Sequence, residues 1–328
     1  MRAVVFREFG PLGSGAVETM PEPVPRAREL LVEVKAAPVN YVDTVVITGR
    51  YQFKPALPFV PGKGPAGVVI GMGDGVEGWS IGDRVLAMVE VGGYAEKVCA
   101  PASQCYRLPP SMTFEHASTI SLAYDTAWFG LRERGRLAPG ETVLVLGATG
   151  AVGSAGIQLA KAMGARALAA VSSPEKAPSM LAAGADGIID LSVANLRESL
   201  RDQVFAQTNG QGADVVLDML GGDIFDAALR AVAWCGRVVV IGFAAGRIPD
   251  IKANYLLVKN IEVSGLQISD YRKRKPEMLR ACFDEVFRFF EQGCIKAGPV
   301  TTFPLERHAD ALQGLAERRL SGRVVLTP

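Results

Sequence analysis

Val143-Leu-Val-Leu-Gly147-Ala-Thr-Gly150-Ala-Val-Gly153-Ser-Ala-Gly156-Ile-Gln-Leu-Ala160 is an apolar run, a glycine-rich turn and the start of a helix. Glycines at 147, 150 and 153 let the backbone approach a diphosphate closely. The helix that follows supplies N–H groups and partial positive charge at its first turn. The triplet alone is a weak signal, and a tight turn with no ligand would look the same. A strand before it and a helix after it are the context that turns it into a dinucleotide site.

Reading downstream, the context extends. A strand over 166–171, a helix over 174–183, a strand over 187–190 and a helix over 193–207 follow in turn. Next come the strand Ala213–Asp218, a helix over 224–233 and the strand Gly236–Ile241, with Ile261–Gly265 closing the sheet. Val/Ile/Leu strands separated by helices are the pattern of a parallel sheet buried on both faces. This α/β domain, a doubly wound Rossmann sheet, is expected over 120–262.

The second strand decides between nicotinamide cofactors. A site for the unphosphorylated form carries an acidic residue about 20 residues after the loop, on the ribose 2′-hydroxyl. Here the strand ends Val171-Ser172-Ser173-Pro174-Glu175-Lys176, with no carboxylate in 167–173. Two hydroxyls and a lysine one turn on suit a 2′-phosphate, so NADPH is expected. Ser173 also fits an N-cap followed by Pro174 at the first helical position. The two roles are compatible, because a helix start is itself an anion site.

Upstream, residues 1 to about 110 carry short β-like runs: Leu30–Lys35, Gly67–Gly71 and Arg84–Val89, punctuated by Pro21-Glu-Pro-Val-Pro25 and Gly71-Met-Gly-Asp-Gly75. That texture reads as an irregular β-barrel without long helices. A helical stretch over 114–134 leads into the α/β domain. Beyond it, a wide apolar stripe predicts a helix over 277–292 and a second over 306–319. The strand Gly322–Leu326 is expected to return to the N-terminal barrel.

Composition excludes several classes. Thirty-five basic residues stand against 34 acidic ones, for a net charge of +1. Nucleic-acid binding draws on phosphate neutralisation, so no nucleic-acid partner is expected. No run of about 18 apolar residues appears, so no membrane span is expected. Charges at Arg2, Arg7 and Glu8 make the N-terminus read as a strand, and the protein as cytoplasmic. Five scattered cysteines, none two or three apart, give no closed zinc site and suggest reduced, mostly buried thiols. With His116 and His308 as the only histidines and no Gly-x-Ser-x-Gly, hydrolytic chemistry has no support either.

At this point the chain resembles the medium-chain dehydrogenase/reductase superfamily, in its zinc-free NADPH:quinone oxidoreductase branch. The resemblance runs through ordered segments from Val39-Asn40-Tyr-Val-Asp43, Thr48–Tyr51, Pro61-Gly62 with Ala66–Val69, and Gly82–Val85 to Asp125–Ala127. It continues through the 147–153 loop, Val171–Lys176, Asp214–Gly222, Ile241–Pro249, Lys259-Asn260 with Val263–Gly265, and Gly322–Leu326. Zinc-dependent relatives have Cys in the first segment and His-Glu in the third. This chain has Asn40 and Lys63-Gly64 there, and the four-cysteine lobe is missing.

The resemblance implies a GroES-like catalytic domain over 1–119 and 263–328, the Rossmann domain between, a cleft for the nicotinamide, and a homodimer joined along the Rossmann sheet edge. It implies that Asn40 and Thr126 neighbour the nicotinamide. Gly147, Gly150, Ala151, Val152 and Gly153 take the pyrophosphate, and Ser172, Ser173 and Lys176 the 2′-phosphate. Gly242 and Phe243 wall the nicotinamide amide, and Arg323 is a late cofactor contact. Two departures stand out: quinone reductases commonly keep a glutamate after the Pro-Gly pair, and often a tyrosine where Leu191 stands.

The expected activity is metal-independent hydride transfer from NADPH to a quinone or α,β-unsaturated carbonyl. Negative charge grows on the conjugated oxygen, and Asn40 and Tyr51 are the candidate donors. Each has a plainer alternative: Asn40 as a turn residue bonding its own backbone, Tyr51 as a half-buried ring with its hydroxyl in water. Asp43 reads as structural. Arg272-Lys-Arg-Lys275 reads as a solvated helix entry, or as a basic rim for an acyl-CoA. The rim would make the protein an enoyl-thioester reductase, and a cofactor-binding protein with little turnover is the third reading.

Overall fold

The computed structural model describes residues 1–320 and 322–328. They form two compact units, Met1–Leu122 with Arg272–Phe287 and Ala297–Pro328, and Ala123–Tyr271 with Arg288–Lys296. The sequence placed the division at 119/120 and 262/263; the second of those points falls inside a strand of the second unit.

In the first unit β1 (Arg2–Val5) pairs antiparallel with β2 (Ala16–Thr19). The spine is β3 (Glu29–Pro38), where Leu30, Val32 and Val34 alternate inward before Ala36 and Ala37 are both buried. It pairs antiparallel with β4 (Ala66–Met72), which carries β5 (Arg84–Ala87). It also pairs with β6 (Lys97–Pro101), while β7 (Cys105–Arg107) lies against β5. Gly67 permits the pairing with β3, since a Cβ there would stand 1.9 Å from the Glu33 carbonyl oxygen.

The second unit contains β8 (Thr142–Leu146), β9 (Arg166–Val171), β10 (Gly187–Asp190), β11 (Ala213–Asp218), β12 (Val232–Val240) and β13 (Glu262–Gly265). All are parallel, in the order β10-β9-β8-β11-β12-β13. Every residue of β8 is buried, as expected for a strand covered by helices on both faces. The order reverses between β8 and β11. Ligands of such sheets bind outside the carboxyl ends of the strands at that switch point.

The tail adds β14 (Val300–Pro304) and β15 (Arg323–Thr327) to the first unit's sheet. The last strand runs antiparallel to β3, with Val325 opposite Pro38, as the sequence led one to expect. It also has a partner the sequence did not suggest, since β14 pairs with it in parallel.

Other boundaries differ for local reasons. The helix expected over 224–233 spans Gly222–Ala231, and the chain turns to strand at Val232, which pairs with Ala213. An extra stretch around Cys235, whose φ is +60°, bulges out before Arg237 rejoins the register opposite Val215. The helix expected from 193 starts at Leu196, because Asn195 takes a left-handed conformation. The helix expected to run to 134 is α-helical over Phe114–Trp128 and π-helical over Phe129–Arg134. Short helices over Tyr41–Ile47, Ala253–Lys259 and Ile268–Arg274 were not anticipated. Of the thiols, Cys105 and Cys282 are buried, Cys99 is half-buried, and Cys235 and Cys294 are exposed, fewer inside than expected.

Candidate active site

The loop after β8 uses each glycine for a different reason. Gly147 sits at φ +77°, a conformation that strains any side chain. Gly150 is the extended N-cap of the helix Ala151–Ala162; its N–H donates to the Gly147 carbonyl at 3.0 Å and its carbonyl accepts from Ser154. A Cβ on Gly153 would stand 2.3 Å from the Gly147 oxygen and 2.7 Å from the Ala148 Cα, so only glycine lets this helix sit so close to the loop. The N-cap is a glycine and the first turn carries no acid. No carboxylate of that turn therefore offsets the positive end of the helix. Ala151 is exposed and Val152 half-buried at that end. The residues fit a diphosphate.

At the end of β9 the chain gathers Ser172, Ser173 and Lys176. Lys176 Nζ donates to Ser172 Oγ at 3.0 Å. Ser173 occupies the N-cap of the turn Pro174–Lys176 but makes no side-chain cap, and its hydroxyl lies 3.4 Å from Glu175. Ser172 and Lys176 thus meet just past a strand end with no carboxylate at 167–173, while Ser173 beside them is turned to Glu175. Leu191 follows β10, its N–H bonded to the Val171 carbonyl and its side chain packed on the unit's core.

Asp218, which sequence reasoning had noted only as part of a matching segment, organises the neighbouring loop. Fully buried at the end of β11, its carboxylate accepts the N–H groups of Leu220 and Gly221, both at 2.9 Å. Burial pushes its pKa up, against those two bonds. Gly221 and Gly222 follow at φ +68° and +60°. The Asp218 carbonyl takes the N–H of Ile241 and of Gly242 at 2.8 and 3.3 Å. The Phe243 ring lies 3.0 Å from where a Gly221 Cβ would be. An acid after an apolar strand and before Gly-Gly was the available signal. Thr126, in the same unit, is buried with its hydroxyl 3.2 Å from the equally buried Asp125 carboxylate.

In the first unit Asn40 and Tyr51 bracket one helix. Asn40 is the extended N-cap of Tyr41–Ile47, and its backbone N–H donates to Asp43 Oδ2 at 2.8 Å. Its side-chain amide reaches the Pro38 carbonyl at 3.5 Å, the local backbone contact of a turn asparagine. At the other end of the helix the Tyr51 N–H donates to the Val45 carbonyl at 3.1 Å, and the half-buried ring packs on the core. Arg323 begins β15, where the Val39 N–H bonds the Val324 carbonyl. The register therefore brings Arg323 to the strand end beside Asn40. Asp43 is structural, as read: it also accepts from the buried Tyr94 hydroxyl at 3.0 Å. Desolvation raises its pKa to about 6, in spite of these bonds and of the charge on Lys63.

Lys63, which follows the Pro61-Gly62 pair, is buried. It pairs with Glu90, whose other oxygen takes Arg272 at 3.0 Å. Burial works against the Glu90 charge, but Arg272 and Lys63 outweigh it and bring its pKa to about 2. Arg272 is thus no solvated helix entry, which corrects that reading. The glutamate common at the neighbouring position would not fit: Gly64 lies at φ +66°, with a Cβ only 2.6 Å from Ser121 Oγ. Among the described residues no cluster of three or more His, Cys, Asp or Glu could hold a metal ion. His308 sits buried between the carbonyls of Leu305 and Gly15.

A parallel sheet of this order with a glycine-loop helix start, in one chain with a sheet built by both termini, defines a two-domain nucleotide-linked reductase of the medium-chain type. Two family models match, "Alcohol dehydrogenase GroES-like domain" over residues 26–110 and "Zinc-binding dehydrogenase" over 151–284. A quinone oxidoreductase-like protein 2 homolog from Nematostella vectensis is 37% identical over 301 residues, 91% of this chain and 81% of that one. A mycobacterial quinone oxidoreductase superposes with a TM-score of 0.92 at 32% identity, covering 100% of both chains. The Escherichia coli quinone oxidoreductase, solved with NADPH, superposes at 0.90 with 28% identity over 100% of both. The chain belongs to the quinone oxidoreductase family of medium-chain dehydrogenases/reductases, and it is an oxidoreductase.

Proposed function

We propose that this protein uses NADPH to reduce a quinone or an α,β-unsaturated carbonyl, without a metal ion. The cofactor is NADPH, and when bound it supplies the hydride. The observation that carries the reading is the glycine loop, with no acid in the first turn of its helix, on the same unit as the Ser172–Lys176 pair, with no carboxylate at 167–173. The 147–153 backbone would hold the pyrophosphate, Ser172, Ser173 and Lys176 the 2′-phosphate, and Gly242 and Phe243 the nicotinamide amide. Asn40, Thr126 and Arg323 are assigned to the cofactor on the family's pattern.

The chain's own chemical work is orientation and charge stabilisation. As the acceptor gains electrons, its conjugated oxygen becomes anionic. The Asn40 amide, which reaches the Pro38 carbonyl in a long bond and also contacts Asp43, and the hydroxyl of the half-buried Tyr51 are the donors we assign to that oxygen. Neither forms a covalent bond to substrate. The enoyl-thioester reading depended on the basic run 272–275. Arg272 is buried and committed to Glu90, which takes it out of that rim. The reducing compartment that five free thiols suit is the cytoplasm. We also propose a homodimer of this chain.

The test is NADPH oxidation against benzoquinone, naphthoquinones, alkenals, enones and crotonyl-CoA, with NADH in parallel and a chelator throughout. Turnover of quinones or enones, preferring NADPH and indifferent to chelator, is expected. Turnover of the thioester alone would transfer the assignment, loss of activity with chelator would overturn metal independence, and tight NADPH binding without oxidation would leave a binding protein.

A further inference from the structure

The segment Tyr51–Phe53 bends without helix or strand, yet each of its two rings is faced by a cation. Lys63 Nζ stands 5.8 Å from the centroid of Tyr51, and Lys273 Nζ 5.5 Å from that of Phe53. Lys63 has no freedom to be elsewhere. Its side chain is 3% exposed and paired with Glu90, which is held from the far side by Arg272, itself 2% exposed. Both rings are therefore tied to two adjacent residues, Arg272 directly behind the Glu90–Lys63 pair and Lys273 on its own.

Stability alone gives little reason for this trio. Taking two cations and a carboxylate out of water costs about as much as their attraction returns, and apolar side chains of similar volume often do as well or better. What the trio provides is a fixed point. An ammonium held on its partner cannot drift, and a ring facing it has one preferred face and one preferred tilt. The backbone of Tyr51 is already fastened to Val45; the cation fixes the remaining freedom, the direction in which the hydroxyl points.

We propose that Lys63, locked by Glu90 and Arg272, is the positioning residue that aims the Tyr51 hydroxyl at the acceptor oxygen. This rests on the reading of Tyr51 as a donor. The basic run at 272 then serves the acceptor loop from within rather than greeting an anionic substrate.

The experiment is a double-mutant cycle on the full chain with its best acceptor, using Tyr51→Phe, Lys63→Met and the two together, and Lys63→Arg as the conservative variant. Each single change is expected to lower kcat about tenfold, the scale of a misaimed donor, and leave NADPH affinity unchanged. In the Tyr51→Phe background Lys63→Met should cost nothing further, and Lys63→Arg should restore most of the rate to the otherwise native chain. Additive losses, or an unchanged kcat for Lys63→Met, would overturn the proposal while leaving the donor reading intact. An unchanged kcat for Tyr51→Phe would remove the donor reading and the positioning role with it. Should Lys63→Met fail to fold, Glu90→Gln replaces it in the same cycle, because it loosens the ammonium without emptying the space.

Discussion

Lys176 is one turn from Ser173 and donates to Ser172, so its ammonium is held at the end of β9 before any ligand arrives. Glu175, the acid of that turn, is exposed and accepts from Ser173 at a long 3.4 Å. A 2′-phosphate would meet two hydroxyls and a cation, whereas a bare ribose would gain nothing from the cation. Charge-assisted bonds at a partly exposed site are worth about 1–2 kcal/mol. Lys176→Ala should therefore weaken NADPH binding by about 5- to 30-fold and leave NADH where it was. Titrating both cofactors by fluorescence checks this; equal losses for the two would show that the lysine supports the fold rather than the phosphate. The residues behind this prediction were readable in sequence because they are neighbours in the chain. Lys63, Glu90 and Arg272 were not, since no spacing rule joins positions that only the folded sheet brings together.

At the scale of elements, the glycine loop and its helix are one object, and Gly153 is the point where they touch. A Cβ there must push the helix off the Gly147 carbonyl, which lies 2.3 Å away. Overpacking against backbone costs about 1–3 kcal/mol. It would also rotate the helix start away from the diphosphate. Gly153→Ala is expected to lower Tm by several degrees and to weaken NADPH by about tenfold or more, and NADPH that binds with native affinity would mean the loop is not the pyrophosphate site. This element was legible for a physical reason: strand, turn and helix are each written in local residue preferences. The same holds for β8, β9, β10 and β11, whose bounds the apolar runs marked. It fails at Val232–Gly236, where Val-Ala-Trp-Cys-Gly has no period that separates helix from strand and pairing with Ala213 decides. It fails again at β14, whose exposed threonines carry no alternation and which exists because β15 offers it an edge.

For the molecule as a whole, the question left by the second unit's sheet is its open side. Among the described residues β13 is the last strand in the order β10-β9-β8-β11-β12-β13. An uncovered edge presents unpaired N–H and C=O groups and invites another strand. On the same unit, Leu257 and Val258 project from the helix Ala253–Lys259 with 79% and 76% of their surface exposed, and Trp234 with 75%. A monomer rarely leaves such large apolar side chains in water without use. A second copy meeting β13 to β13 would satisfy the edge with the same surface on each side, as two-fold symmetry requires, and the exposed apolar groups are the side chains expected to join that contact. Light scattering behind size exclusion should find two copies for the native protein. Leu257→Glu would place a carboxylate in each half of that contact and should shift the protein toward one copy. NADPH affinity should survive, because residues 147–176 lie elsewhere in the chain. A native protein that elutes as a monomer would sink the proposal, as would a dimer indifferent to charge at both 257 and 258; in that case the exposed helix face has some other role than joining copies of this chain.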